Sequence, residues 1–131
     1  MHLQPYECVD GLPFSTSLRG VRARCGLPDR EAPNAAGLLE LDYGHVVYRF
    51  QASGRLEEVT KPTAVLHLGT LAVPYPALEH FIRQHDADAF LRAGHLVSPA
   101  LGLAYVPGQP PWVTALARQG LDSWRALPQA G

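Results

Sequence analysis

The side chains best able to do chemistry in this 131-residue chain are two acidic pairs, Glu40/Asp42 and Glu57/Glu58, six histidines and two cysteines. Paired carboxylates can exchange protons with a substrate when burial raises the pKa of one of them. Glu40 and Asp42 alternate with Leu39 and Leu41, which assigns both acids to the solvent face of a strand, and Glu57 and Glu58 also read as exposed. An acidic docking surface of Glu40, Asp42 and Glu57, facing a basic protein partner, is therefore expected in preference to a catalytic pair. A thiolate nucleophile needs positive charge or a helix N-terminus nearby. Cys8 lies between Glu7 and Asp10, while Cys25 falls at the end of an expected helix, where the dipole disfavours the anion. Cys25 reads as a small buried apolar residue, and both cysteines are expected to stay free thiols.

Among the histidines, only His80 and His85, with Asp86 and Asp88, cluster in a way that suggests a metal. Five positions on a helix turn a side chain by about 140° from its starting direction, whereas two ligands on one face need a spacing near four. No metal is expected. The chain also has neither G-x-x-x-x-G-K-S/T nor G-x-G-x-x-G, and Ser98 precedes Pro99 instead of sitting in a G-x-S-x-G elbow. No cofactor or catalytic residue is assigned. Trp112 and Trp124 read equally as interface anchors or as core.

Local patterns indicate the elements that must position these groups. Ser17 can N-cap a helix ending at Cys25, with Gly26 at the left-handed C′ position and Pro28 beyond it. Leu18, Val21 and Cys25 form its apolar stripe. The segment 38–50 predicts a hairpin turning at Gly44-His45, with Leu41 facing Tyr48, Leu39 facing Phe50 and Glu40 opposite Arg49. A third strand over about 55–60 and two short runs, 64–68 and 71–73, extend this into a meander. Pro76 opens a second helix carrying Leu78, Phe81 and Ile82, and Asp86 is expected to cap a third helix closed by Gly94. Residues 1–13 read as an irregular arm. Strand-like runs at 95–98, 102–106 and 112–118 follow, and a tail over 121–127 carries Trp124 onto the core. The sum is one α+β domain over residues 1–131, mainly an antiparallel sheet with two or three short helices packed on it.

Composition narrows the function classes. Apolar residues make up 47% and charged residues 18%, enough apolar material for a single core. Net charge is −1, with 6 basic against 8 acidic residues up to Thr60 and 5 against 4 beyond it. Clustered Lys and Arg are what neutralise phosphates, so nucleic acid is not an expected partner. No basic, apolar leader opens the chain and no run of about 18 apolar residues occurs, so the expectation is a cytoplasmic protein that does not enter a membrane.

The opening Gly11-Leu-Pro-Phe14, then Ser17-x-x-x-Val21-x-x-x-Cys25-Gly26-Leu-Pro28-Asp29, followed by an antiparallel meander, resembles the helix-loop-sheet start of small bacterial toxin-immunity proteins. The resemblance spans residues 11–60, and Gly20 and Cys25 depart from its usual pattern. It implies a protein that neutralises a cognate toxin by direct binding, and it transfers no site residues. A similar opening occurs in the small lipoprotein of outer-membrane barrel assembly, but the lipid-attachment cysteine and export signal of that family are missing here. The alternative expectation is a small enzyme or ligand-binding domain with a pocket between helices and sheet, and a third is an adaptor subunit.

Overall fold

The computed structural model describes residues 1–128. Three two-residue strands, β1 (Leu3–Gln4), β2 (Cys8–Val9) and β3 (Leu12–Pro13), open the chain as a small antiparallel sheet. The irregular arm expected there is thus ordered. Leu3, Val9 and Leu12 turn inward and join the core. Helix α1 (Leu18–Cys25) begins where Ser17 Oγ accepts from Gly20 N and ends where Gly26, at φ 81°, donates to Arg22 O. These are the boundaries that the capping residues predict. Val21 is fully buried, but Cys25 is exposed, which corrects the expectation of a buried thiol. An eight-residue helix lying on the surface buries only its central turn.

Strands β4 (Arg30–Pro33), β5 (Leu39–Asp42), β6 (Val47–Phe50) and β7 (Leu56–Pro62) follow. β5 and β6 pair Leu39 with Phe50, Glu40 with Arg49, Leu41 with Tyr48 and Asp42 with Val47, the register expected from the alternation. Positive φ at Gly44 and not at His45 is the II′ pattern, whose twist matches that of the strands it joins. Leu41, Val46 and Phe50 are buried; Leu39, Tyr43 and Tyr48 pack against the same core at its margin.

The chain then leaves the sheet. β8 (Val65–Leu68) and β9 (Leu71–Pro74) pair only with each other, and a 3-10 turn at Tyr75–Ala77 leads into α2 (Leu78–His85), which buries Leu78 and Ile82. Where a third helix was expected after Asp86, the structure has β10 (Phe90–Arg92) and β11 (His95–Ser98), joined at Ala93-Gly94 with positive φ at both residues. Asp86 is the C-cap of α2 and not the N-cap of a further helix. Its buried carboxylate accepts from Ser98 Oγ at 2.7 Å, Ala100 N at 3.0 Å and Asp88 N at 3.0 Å, tying this hairpin to the next turn. β12 (Leu103–Tyr105), β13 (Trp112–Leu116) and helix α3 (Arg118–Ala126) complete the described chain.

β13 returns to pair with β7, closing an eight-stranded antiparallel sheet in the order β10-β11-β12-β13-β7-β6-β5-β4. The architecture is therefore α+β and sheet-dominated, with three short α-helices among the described residues. One face carries Leu41, Phe50, Val59, Leu103 and Val113 into the main core beneath α1, α2 and the small sheets. The other face carries Val97, Ala104 and Leu116, which α3 covers with Leu121 and Trp124. That helix reaches only part of its face. No helix among the described residues is long and apolar enough to cross a membrane.

Candidate functional site

The part of the second face that α3 leaves open is a groove of about 670 Å³. Its floor is a polar ladder across four strands, β5, β6, β7 and β13. Arg49 on β6 lies between Glu40 on β5 and Glu58 on β7, with Nε 2.6 Å from Glu40 Oε2 and Nη1 3.3 Å from Glu58 Oε1. The same Nη1 donates to Thr60 Oγ1 at 2.6 Å, and Thr60 and Thr114 share a hydrogen bond of 2.7 Å. Trp124 descends from α3 and donates Nε1 to Glu58 Oε2 at 3.0 Å, so both oxygens of Glu58 are engaged.

A bulge makes this floor unusually acidic. Phe50 pairs with Leu56 while Arg49 pairs with Glu58, so Glu57 is the extra residue of β7. Leu56 and Val59 can consequently both enter the main core, although three positions separate them, and Glu57 and Glu58 both line the groove. Glu57 is only 4% exposed and takes a hydrogen bond from Gln51 Nε2 at 2.9 Å. Gly120 lets α3 approach this point: a Cβ there would stand 3.1 Å from Glu57 O.

The walls come from α3 and from the β4–β5 loop. Asn34 Oδ1 accepts from Ala36 N and Leu38 N, both at 2.9 Å, an Asx arrangement that holds the loop upright. His95 stands at the far end, its ring 4.8 Å from that of Trp124. A smaller hollow of about 270 Å³ continues from Arg49, His95 and Thr114 towards the exposed Trp112.

Three carboxylates and one guanidinium line the main groove. Burial pushes the Glu58 carboxyl above its ordinary range, and the neighbouring Glu57 adds to this; Arg49 and the Trp124 hydrogen bond pull the other way without cancelling the rise. The groove therefore combines three carboxyl groups against one guanidinium, an aromatic wall and one carboxyl whose pKa is raised.

No family model, curated protein or solved structure matches this chain. The chemistry of the groove must be read from its own residues. Of the three acids expected to form a docking surface, Glu40 and Glu57 meet in the groove and Asp42 does not line it. Asp42 instead accepts from Gly44 N at 2.8 Å and supports the hairpin turn. The expectation that Glu57 and Glu58 are exposed is corrected: the bulge and α3 enclose them. Arg49 was visible in the sequence only as the ion partner of Glu40. Thr60, Thr114 and the Asn34–Leu38 loop were not visible as site residues at all. One signal for the bulge was present, since an apolar spacing of three between Leu56 and Val59 breaks strand alternation.

The remaining candidates stay apart. His80, His85 and Asp88 are exposed, the His85 ring lies 4.4 Å from that of Phe81 at a tilt of 37°, and no group of three or more His, Cys, Asp or Glu among the described residues is disposed to hold a metal. Cys8 and Cys25 are free thiols, and Cys25 Sγ lies 4.0 Å from the Tyr48 hydroxyl.

Proposed function

We propose that this chain is a single-domain cytoplasmic binding protein whose acidic groove receives a basic segment of a protein partner, and that it acts as an immunity protein neutralising a cognate bacterial toxin. The observation that carries the binding reading is the groove itself, where Glu40, Glu57 and Glu58 outnumber Arg49 beside the half-buried Trp124. A lysine or arginine entering it would exchange water for carboxylate oxygens, and tryptophan is the residue type that most often anchors such a contact. Toxins that act on nucleic acids or nucleotides tend to be basic around their active sites, so a complementary acidic face would speed encounter by electrostatic steering. The resemblance of residues 11–60 to immunity proteins supplies the choice of partner class.

Binding to the polypeptides encoded by the flanking reading frames tests the proposal. The expected result is nanomolar, salt-sensitive association with one of them, protection of cells expressing it, and loss of both in Trp124→Ala and Glu40→Lys. Absence of binding by the folded wild-type chain would remove the toxin reading. A second reading is favoured by Glu58, which lines the groove and whose carboxyl is shifted upward by burial, the direction that general-acid chemistry uses. On that reading the groove takes a small ligand, and saturable small-molecule binding whose pH dependence vanishes in Glu58→Gln would select it.

A further inference from the structure

A second cavity, of about 590 Å³, lies where the start of α1, the Gln51–Arg55 turn and the start of α3 meet. Its electrostatics are the reverse of those of the acidic groove. Arg55 and Arg118 are its charged lining residues, no carboxylate lines it, and neither arginine belongs to an ion pair among the described residues. Ser15, Thr16 and Ser53 line the same space. Two arginines lining one cavity with no carboxylate in its walls make it favourable for an anion.

Backbone contacts fix where Arg55 leaves its turn, and a ring contact positions the Arg118 side chain. Ser17 and Arg55 form an antiparallel bridge, and Leu18 N donates to Gly54 O at 3.1 Å, which ties the β6–β7 turn to α1. The Arg118 guanidinium lies 4.4 Å from the centre of the Tyr6 ring, a cation–π contact. Tyr6 is itself fixed: its hydroxyl donates to Pro99 O, and its ring lies so close to Gly102 that a Cβ there would be 3.1 Å from it. Gln119 Nε2 donates to Leu56 O at 3.3 Å and anchors the start of α3 to β7.

We propose that this cavity is a binding site for a phosphorylated small molecule, with Arg55 and Arg118 taking the phosphoryl oxygens and the serine and threonine hydroxyls completing the donor set. A guanidinium fork matches phosphate oxygens, and two of them balance a dianion in a way that a single carboxylate ligand does not require. The volume exceeds that of a phosphate alone, and the Tyr6 and Phe14 side chains supply apolar wall for the rest of the ligand. This site is separate from the acidic groove, and neither proposal depends on the other.

The test is calorimetric titration of the full chain with inorganic pyrophosphate, inorganic phosphate and acetate, followed by amide NMR shifts. Pyrophosphate is expected to saturate one site more tightly than acetate and to move amides at residues 15–17, 53–55 and 117–119. Arg55→Gln and Arg118→Gln should each weaken it at least about tenfold, the worth of one charge-assisted hydrogen bond. Arg30→Gln, which changes an exposed arginine outside the cavity, should leave it unchanged. Should either cavity variant lose its fold by circular dichroism, the wild-type shift map decides. No saturable binding, undiminished binding in folded arginine variants, shifts located elsewhere, or acetate binding as tightly as pyrophosphate would each overturn the proposal.

Discussion

The two faces of the eight-stranded sheet solve the same burial problem in different ways. On the covered face, α1, α2 and the small sheets exclude water from leucine, valine and phenylalanine side chains, and the main core forms there. On the other, α3 packs on part of β13 and β7, and beside it stand Glu40, Arg49, Glu58, Thr60 and Thr114, which satisfy one another. The first face is built for stability. The second keeps polar groups oriented at the edge of water, where a partner can reach them, and for that it relies on paired charges that contribute less to folding than apolar packing does. Function in this molecule is therefore sought where burial is incomplete.

The sharpest way to break this comparison is to truncate each face in turn. Phe50→Ala, on the covered face, removes a fully buried ring and is expected to destabilise the protein by about 3–5 kcal/mol, measured by urea denaturation. A loss below about 1 kcal/mol would mean that the core at this point collapses onto the cavity. Arg49→Met, on the open face, leaves Glu40 and Glu58 without their shared cation. Its cost is expected on the order of 2 kcal/mol, less than that of a fully buried pair because the groove admits water. If Arg49→Met proves more damaging than Phe50→Ala, the ladder is the structural centre of the sheet and the contrast fails. The ladder also makes charge reversal at Glu40 a structural change as well as a surface one, since Glu40 pairs with Arg49 and is only partly exposed.

The smallest expected effect concerns pH and separates two acids with opposite signs. Burial alone would raise the Asp10 carboxyl, but the His2 amide and the Lys61 ammonium carry it below its ordinary value; its contribution to stability is present at neutral pH and is lost on acidification. The Glu58 carboxyl is raised, so its contribution is complete below its ordinary pKa of 4.5 and is lost as pH climbs through the raised value. Glu58→Gln is expected to remove that loss, so the variant gains on the wild type as pH rises above about 4.5. Urea midpoints whose difference stays constant from roughly pH 4 to pH 8 would show that Glu58 titrates as a solvated carboxyl.

Much of the first half was legible because local rules governed it. Ser17, Gly26 and Gly44 each occupy a backbone position that their chemistry selects, and the alternation from Leu39 to Phe50 has only one register that buries its apolar set. Local reasoning failed between Asp86 and Gly94. A residue able to cap a helix is equally able to fix a turn, and only the arrival of Ser98 and Ala100 decided how Asp86 is satisfied. Cys25 shows a related limit, because an apolar stripe on a short helix does not reveal which end reaches the core.

Periodicity, capping and turn chemistry within a few residues are enough to set the α+β class, the α1 boundaries, the β5–β6 register and the Glu40–Arg49 pair. Tertiary structure alone decided that β7 pairs with β13 across the intervening β8–β12 segment and that α3 brings Trp124 onto Glu58. The reason is physical: strand pairing between distant segments and the reach of α3 depend on how the whole apolar surface is shared out. No local window of sequence contains that information.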